Sequence, residues 1–272
     1  MTVKQNLHTH SVYCDGCDTI EEMIISAIDK GFGSIGFSSH SFVPNSTYHT
    51  LTPETLKDYK NEIGSLKQKY ADKIKVYCGV EYEMESPTDL KGFDYTIGAV
   101  HALNIDGKFY DVDWTAEKSK NIIDKFFSGD GLKYAKAYYE RLATLPKYGN
   151  FDILAHFDLI TKFNEITPLF DEESHEYKSA IIETAKSLAG KIPFFEVNTG
   201  AVSRGYRKTP YPSPFIIKEL KRLGFGAIVS SDCHNRDFLE CGMRDADRLL
   251  IDCGFREKFI LTDNGFKAVP LV

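Results

Sequence analysis

The sequence lacks a long apolar run that could span a membrane, and its first residues, "MTVKQN", lack the apolar segment of a secretory signal. It also lacks an excess of basic residues, because its 272 residues carry a formal net charge of -6. General nucleic-acid binders and membrane-surface binders are usually basic. These absences predict a cytoplasmic protein that binds neither nucleic acid nor membrane.

Other absences narrow the fold. No second cysteine pair accompanies Cys14-x-x-Cys17, so a structural zinc knuckle is disfavoured and the six cysteines are expected to be free thiols. No glycine-rich loop follows the first apolar run, which argues against a nucleotide-binding Rossmann domain. Without internal repeats, low-complexity tracts or a flexible linker, residues 1–272 are expected to form a single domain.

What is present is an alternation of short apolar runs with amphipathic helical stretches. Helices are expected to begin after Thr19, Thr52 and Ser213, which resemble N-caps, and another is expected over 172–190. Strands are expected at 4–7, 34–38, 74–80, 95–100, 152–155, 193–198, 225–230 and possibly 258–262. This alternation indicates parallel strands joined by right-handed crossovers, and seven or eight such units favour a closed β/α barrel.

Histidines and carboxylates follow these expected strands. The residues at or just beyond the strand ends are His8, His10, Asp15, His40, Glu81, His101, His156, Asp232 and His234. In a β/α barrel the carboxyl ends of the strands form one rim, where active sites are built, so these side chains should converge. Imidazoles and carboxylates together bind zinc, manganese or iron, and nine of them suit about three ions. The two other histidines, His49 and His175, receive no role.

This pattern resembles that of the polymerase-and-histidinol-phosphatase (PHP) family of metal-dependent phosphoesterases. The resemblance runs from His8-x-His10 and Asp15-Gly16 to Asp232-x-His234, and it fills every expected ligand position. It implies an α/β fold, a distorted (β/α)7 barrel with three divalent ions at the C-terminal rim of the strands, and a peripheral segment at 258–262. It implies one ion on His8, His10, Glu81 and Asp232, a second on Glu81, His101 and His156, and a third on Asp15, His40 and His234.

Two further segments, "FDYTIGAVHAL" and "FFEVNTGAVSRGYRKTPYPSP", resemble the branch of the family that acts on L-histidinol phosphate. The resemblance implies hydrolysis of this phosphomonoester in histidine biosynthesis, by a hydroxide bridging two ions. The expected catalytic residues are Asp15, Glu81 and His234, and the expected phosphate-binding residues are Arg204 and Arg207. Three divalent ions would outweigh the three carboxylates in charge, which suits an anionic substrate.

The substrate's ammonium and imidazole call for a carboxylate and an aromatic wall. The candidates are Asp111, Asp113, Trp114 and Glu117, on a loop expected after the fourth strand, together with Tyr13 and Phe42. Two alternatives stay open: a phosphoesterase of the same family acting on a nucleotide bisphosphate or a phosphotyrosyl peptide, and a non-catalytic metal-binding barrel. A binuclear amidohydrolase is disfavoured, because no lysine ends an expected strand and Asp15, His40 and Glu81 would have no role.

Overall fold

Seven parallel strands form the centre of the protein in a computed structural model that describes residues 4–44, 49–84 and 86–272. Residues 1–3, which begin the N-terminal segment "MTVKQN" considered above, lie outside the described residues. In their order around the sheet the strands are β1 (Gln5–Asn6), β2 (Ser34–Phe37), β3 (Lys75–Glu83), β4 (Tyr95–Ala99), β5 (Ile153–Leu154), β6 (Phe194–Asn198) and β7 (Gly226–Ser230).

The sheet closes on itself between β1 and β7. Thr9 forms a parallel bridge with Cys233, and the N–H of His10 donates to the Cys233 carbonyl at 2.9 Å. The Asn6 side-chain amide donates to the Ser231 hydroxyl at 2.6 Å. Because β1 and β5 contain two residues each, the barrel is irregular around its circumference. The predicted distorted (β/α)7 barrel is confirmed, and all strand carboxyl ends face one rim.

Helices surround this barrel. In the described part of the chain they are α1 (Ile20–Asp29), α2 (Pro53–Lys69), α3 (Ala116–Phe126), α4 (Gly131–Leu142), α5 (His175–Leu188), α6 (Gly200–Ser203), α7 (Pro214–Arg222) and α8 (Met243–Asp252). Short 3-10 helices lie at Leu145–Lys147, Leu159–Thr161 and Arg236–Phe238. None of the described helices combines the length and the apolarity needed to cross a bilayer.

The helix starts follow the cap residues with two exceptions. Thr19 and Thr52 each accept a backbone N–H three residues on, as predicted. The helix expected over 172–190 begins only at His175, because the Ser174 hydroxyl accepts the Tyr177 N–H and fixes the first turn there. Ser213 precedes α7 as expected but makes no side-chain capping bond.

Two strand predictions need correction around the rim. β3 extends to Glu83, so Glu81 lies inside the strand and not after it, because β4 pairs with the whole segment from Gly79 to Glu83. The stretch expected to be a loop after β4 is an antiparallel hairpin of Ala102–Ile105 with Lys108–Asp111. The run expected at 258–262 belongs to a second hairpin outside the barrel sheet, so it is peripheral as the resemblance implied.

One large side chain fills the barrel interior below the rim. Tyr95 is 1 % exposed, and its hydroxyl donates to the carbonyl of Leu7. Its ring has room because Gly36 and Gly79 face it; a Cβ on Gly79 would stand 2.2 Å from the ring. The interior is therefore packed and not an open channel, which leaves the rim as the accessible end of the barrel.

Candidate metal centre

The nine candidate ligands predicted from the strand ends converge at the carboxyl rim. Donor atoms of His8, His10 and Asp232 lie within 4.8 Å of one another, as do those of His10, Asp15, His40 and His234. A third such group joins His40, Glu81 and His101 to Glu83, which was not predicted. The nine predicted residues are called the donor cluster below: His8, His10, Asp15, His40, Glu81, His101, His156, Asp232 and His234.

Glu81 lies at the centre of the donor cluster and is 1 % exposed. Its Oε2 lies 3.1 Å from His8 Nε2 and 3.5 Å from His10 Nε2. Its Oε1 lies 3.0 Å from His156 Nε2 and 3.5 Å from His101 Nε2. Oε2 also lies 3.1 Å from His40 Nδ1. Because the two oxygens face different sets of imidazoles, this carboxylate could hold a cation on either side.

Asp15, His40 and His234 form the outer part of the donor cluster. Asp15 Oδ1 lies 3.6 Å from His40 Nε2, and Asp15 Oδ2 lies 3.3 Å from His234 Nε2. The His234 ring stacks on that of His10 with centroids 4.0 Å apart. The Asp15 side chain is 37 % exposed, so this third group lies at the mouth of the site.

The donor cluster fits divalent cations by its own geometry. His8 Nε2 and His10 Nε2 lie 3.1 and 3.5 Å from Glu81 Oε2, yet none of these three buried atoms forms an aligned hydrogen bond with a described residue. Leaving such atoms unsatisfied costs about 1–3 kcal/mol each, which a bound cation would remove. Imidazole nitrogens with carboxylate oxygens are the donors that zinc, manganese and iron accept.

The carboxylates control the protonation of these imidazoles. Burial alone would lower the pKa values of His8 and His40, but the negative charges of Glu81 and its neighbours raise both well above the usual range. Against the same effect of burial, Glu83 and Glu81 raise the pKa of His101 to about 9. Burial and the nearby His234 and His40 lower that of His10 to about 3. A cation must therefore displace protons from part of the cluster.

The raised pKa of His101 predicts that the stability of the metal-free protein, prepared by treatment with a chelator, depends on pH. A folded pKa of about 9 against 6.5 in the unfolded chain stabilises the fold fully below pH 6.5, and this contribution is lost as pH rises to 9. The loss amounts to about 3 kcal/mol. Urea unfolding at pH 6.5 and pH 9 measures it, and His101→Gln should show a smaller decrease. Equal stability of the chelated wild-type protein at both pH values would contradict this assignment.

Two buried carboxylates at the rim were missed from the sequence. Glu83 Oε1 lies 2.9 Å from His40 Nδ1, and its Oε2 lies 2.8 Å from His101 Nδ1. Glu196 Oε2 lies 2.9 Å from His8 Nδ1. Such partners fix the ring orientation and leave the other ring nitrogen for a cation. Glu83 could have been found because it lies two residues after Glu81 on one strand and therefore on the same face.

The structure separates the two predicted phosphate-binding arginines. Arg204 lines the cavity above the donor cluster, called the rim cavity below, and its Nη2 lies 3.2 Å from Asp232 Oδ2. Arg207 is not among the described residues that line this cavity. It is 7 % exposed, and its Nη1 donates to the Thr161 carbonyl at 3.1 Å. Lys162, which was not predicted, lines the rim cavity instead.

Only some of the residues predicted to recognise the rest of a substrate lie in the rim cavity. Asp111, Asp113 and Trp114 line the rim cavity. The described residues that line it do not include Glu117, Tyr13 or Phe42. The Tyr13 hydroxyl donates to Glu62 at 2.7 Å, away from the donor cluster. The rim cavity thus has the Arg204 guanidinium beside the donor cluster, and the carboxylates of Asp111 and Asp113 on the side of the hairpin.

The fold and the donor cluster define a class of protein: a β/α barrel with a site for divalent cations at its carboxyl rim. The family model of the PHP domain matches residues 6–200. The chain belongs to the PHP domain family, and the resemblance drawn from the sequence is confirmed.

Similar proteins cover nearly the whole chain. A Schizosaccharomyces pombe protein named "Probable histidinol-phosphatase" is 25% identical over 278 residues, with 93% of this chain and 87% of that protein covered. The Bacillus subtilis "Histidinol-phosphatase" is 24% identical over 257 residues, covering 85% and 93%. A crystal structure of the Lactococcus lactis histidinol phosphate phosphatase, complexed with Zn, L-histidinol and phosphate, has a TM-score of 0.75 at 21% identity and covers 97% of this chain and 98% of that chain. This structural likeness supports the same fold.

Proposed function

We propose that the chain is a metal-dependent phosphatase that hydrolyses L-histidinol phosphate to L-histidinol and inorganic phosphate. The observation that carries this proposal is the rim cavity, which joins the donor cluster and Arg204 to the carboxylates of Asp111 and Asp113. A phosphomonoester that also carries an ammonium group suits a cavity with both signs of charge. The relatives named histidinol-phosphatase support the same substrate. A role in histidine biosynthesis and a cytoplasmic location are proposed together with this activity.

The donor cluster is proposed to hold three divalent ions of zinc, manganese or iron. Residues 1–272 are proposed to form a single domain around it. The proposed ligands are His8, His10, Glu81 and Asp232 for one ion, Glu81, His101 and His156 for the second, and Asp15, His40 and His234 for the third. Bound divalent ions supply Lewis acidity and lower the pKa of water for attack on phosphorus. The proposal that Glu81 would serve two of these ions is supported by the imidazoles that lie against each of its oxygens.

Arg204 is the proposed phosphate-binding residue. Its Nη1 donates to the Asp232 carbonyl at 2.9 Å and lies 3.1 Å from His234 Nδ1, so the guanidinium is held beside two members of the donor cluster. Guanidinium N–H groups form charge-assisted hydrogen bonds with phosphate oxygens. In this position Arg204 would hold non-bridging oxygens and offset the charge that develops on them.

Asp15, His234 and Glu81 are the proposed catalytic residues. Asp15 and His234 lie at the mouth of the site, and Glu81 lies between the inner imidazoles. Burial opposes ionisation of Asp15, but the nearby His40 and His234 lower the pKa of its carboxyl far below the usual range. Asp15 is therefore ionised at neutral pH and can hold a cation. The proton for the departing alkoxide is proposed to reach it through a water molecule beside Asp15 and His234.

The hairpin side of the rim cavity is proposed to receive the ammonium group. Asp113 already pairs with Lys162, whose Nζ lies 3.1 Å from its Oδ2. Asp111 has no ion pair or side-chain hydrogen bond with the described residues, and its backbone lies opposite Ala102, next to His101. A carboxylate that lines a cavity without a cationic partner is suited to a cation of the substrate.

Replacing Asp111 by Asn should raise KM for L-histidinol phosphate up to about fivefold, the equivalent of one weak ion pair of about 1 kcal/mol. It should leave the kinetics with phenyl phosphate, which has no ammonium group, unchanged. Steady-state assays of both substrates measure this difference, with the exposed Glu117→Gln as the matched control. An equal effect on both substrates would exclude ammonium recognition by Asp111.

A substrate comparison tests the proposed function itself. The purified protein should turn over L-histidinol phosphate with a kcat/KM at least about 100-fold higher than that for a nucleotide bisphosphate or a phosphotyrosyl peptide, because only the first carries both groups that the cavity matches. Phosphate release measured over a range of concentrations gives all three values. A preference for the nucleotide or the peptide would overturn the assigned substrate.

A further inference from the structure

Glu83 differs from the donor cluster in what its oxygens contact. The side chain is almost fully buried, and each oxygen lies against the Nδ1 of a different imidazole, at 2.9 Å for His40 and 2.8 Å for His101. Its backbone N–H donates to the Ser41 hydroxyl at 2.9 Å, which fixes the residue at the end of β3. With both oxygens occupied in this way, Glu83 is placed to orient these two imidazoles.

The two imidazoles on Glu83 face different parts of the donor cluster. His40 Nε2 points to Asp15, with 3.6 Å between the nitrogen and Oδ1, while His40 Nδ1 lies 3.1 Å from Glu81 Oε2 in addition to Glu83. His101 Nε2 points to Glu81, with 3.5 Å between the nitrogen and Oε1. The rings are nearly perpendicular, at 85°, with centroids 5.5 Å apart, so one carboxylate supports the corner between two proposed ion sites.

We propose that Glu83 is a positioning residue that couples the filling of these two ion sites. The inference rests on the ion sites of the proposed function. An ion that binds one imidazole orders Glu83 and thereby the second imidazole, so the next ion meets a site that is already arranged. The negative charge of Glu83 between the two sites also reduces the repulsion between two bound cations.

Glu196 provides the contrast within the same structure. It lies 2.9 Å from the Nδ1 of a single imidazole, His8, and its other oxygen accepts the backbone N–H of His156 at 2.9 Å and the Asn198 amide at 2.7 Å. Glu196 thus orients one ring toward one proposed ion, whereas Glu83 orients two rings toward two ions. Removing each carboxylate should therefore change a different number of ions.

The test starts from full-length protein from which a chelator has removed the metal. This protein is dialysed to equilibrium against a fixed free Zn²⁺ concentration, and elemental analysis then counts the bound ions. The free Zn²⁺ is set about tenfold above the wild-type dissociation constant, since loss of such a partner costs about 10- to 100-fold in affinity. Glu83→Gln should lose two of the ions that the wild type retains, because a glutamine amide presents one acceptor and one donor to two N–H groups. Glu196→Gln should lose one, and the exposed Glu183→Gln none. A Glu83→Gln protein that retains the wild-type count, or loses every ion, overturns the coupling.

A second pair of variants decides the matter even if Glu83→Gln fails to fold. His40→Ala and His234→Ala each remove a proposed ligand of the same outer ion, but of these two residues only His40 contacts Glu83 and, at 3.1 Å, Glu81 Oε2. Coupling predicts that His40→Ala loses two ions and His234→Ala one; equal losses overturn it. These outcomes are independent of the substrate, since a wild type that retains its ions but does not hydrolyse L-histidinol phosphate refutes the proposed function alone.

Discussion

Glu81→Gln should reduce kcat for L-histidinol phosphate by more than about 10³-fold. The reason is that its two oxygens serve different imidazoles: Oε2 lies near His8, His10 and His40, and Oε1 lies near His101 and His156. Groups that merely orient a ligand cost about 10- to 100-fold, and a bridging carboxylate should cost more than these. A glutamine in its place would aim an amide donor at a site built for cations. Steady-state phosphate release measures the effect.

The exposed Glu183→Gln on α5 is the matched control, because it makes the same chemical change outside the rim. Both variants need comparable melting temperatures for the comparison to hold, and His175→Ala provides a second exposed control. A Glu81→Gln protein with near-normal turnover would remove Glu81 from the proposed centre. It would leave the barrel fold unaffected, since the strand pairing of β3 does not depend on this side chain.

Removal of the metal should abolish phosphatase activity, and returning it should restore activity. The donor cluster contains buried nitrogens and an oxygen without aligned hydrogen bonds to the described residues, and a bound cation would supply both their partner and the Lewis acidity that the reaction needs. Dialysis against a chelator, followed by addition of Zn²⁺, Mn²⁺ or Fe²⁺ in separate samples, measures the loss and the recovery. The metal that restores the highest kcat/KM identifies the ion best suited to the site.

Two results would contradict the metal prediction in different ways. Full activity in a protein that elemental analysis shows to be free of metal would separate catalysis from the donor cluster. Metal that restores thermal stability without phosphate release from any monoester would instead favour a non-catalytic metal-binding barrel. The exposed His175→Ala protein should lose and regain activity like the wild type, because His175 lies on α5 outside the rim.

The sequence predicts the barrel and most of the centre because both depend on local patterns. Thr19 and Thr52 mark helix starts through hydrogen bonds within one turn. His8 with His10, and Asp232 with His234, come directly after apolar runs, and parallel strands bring such ends to one rim. The convergence of the nine residues therefore follows from topology, although their roles as ligands stay a proposal.

The missed features depend on contacts between distant segments. Glu196 lies in the apolar run "FFEVN", where nothing local shows that His8, 188 residues away, supplies its partner. Arg207 looks equivalent to Arg204 in the sequence, but packing against Tyr211 and a bond to Thr161 turn it from the rim cavity. The hairpin that carries Asp111 was read as a loop because its strands are only four residues long.

The central claim is that donors from distant segments together hold several divalent ions within reach of one another. Anomalous X-ray diffraction at the absorption edge of the bound metal, on crystals of the full-length protein, tests it most directly. The expected result is three peaks: one among His8, His10 and Asp232, one beside His101 and His156, and one beside Asp15, His40 and His234. A metal-replete crystal without peaks at these positions, or with a single peak elsewhere on the chain, would contradict the claim.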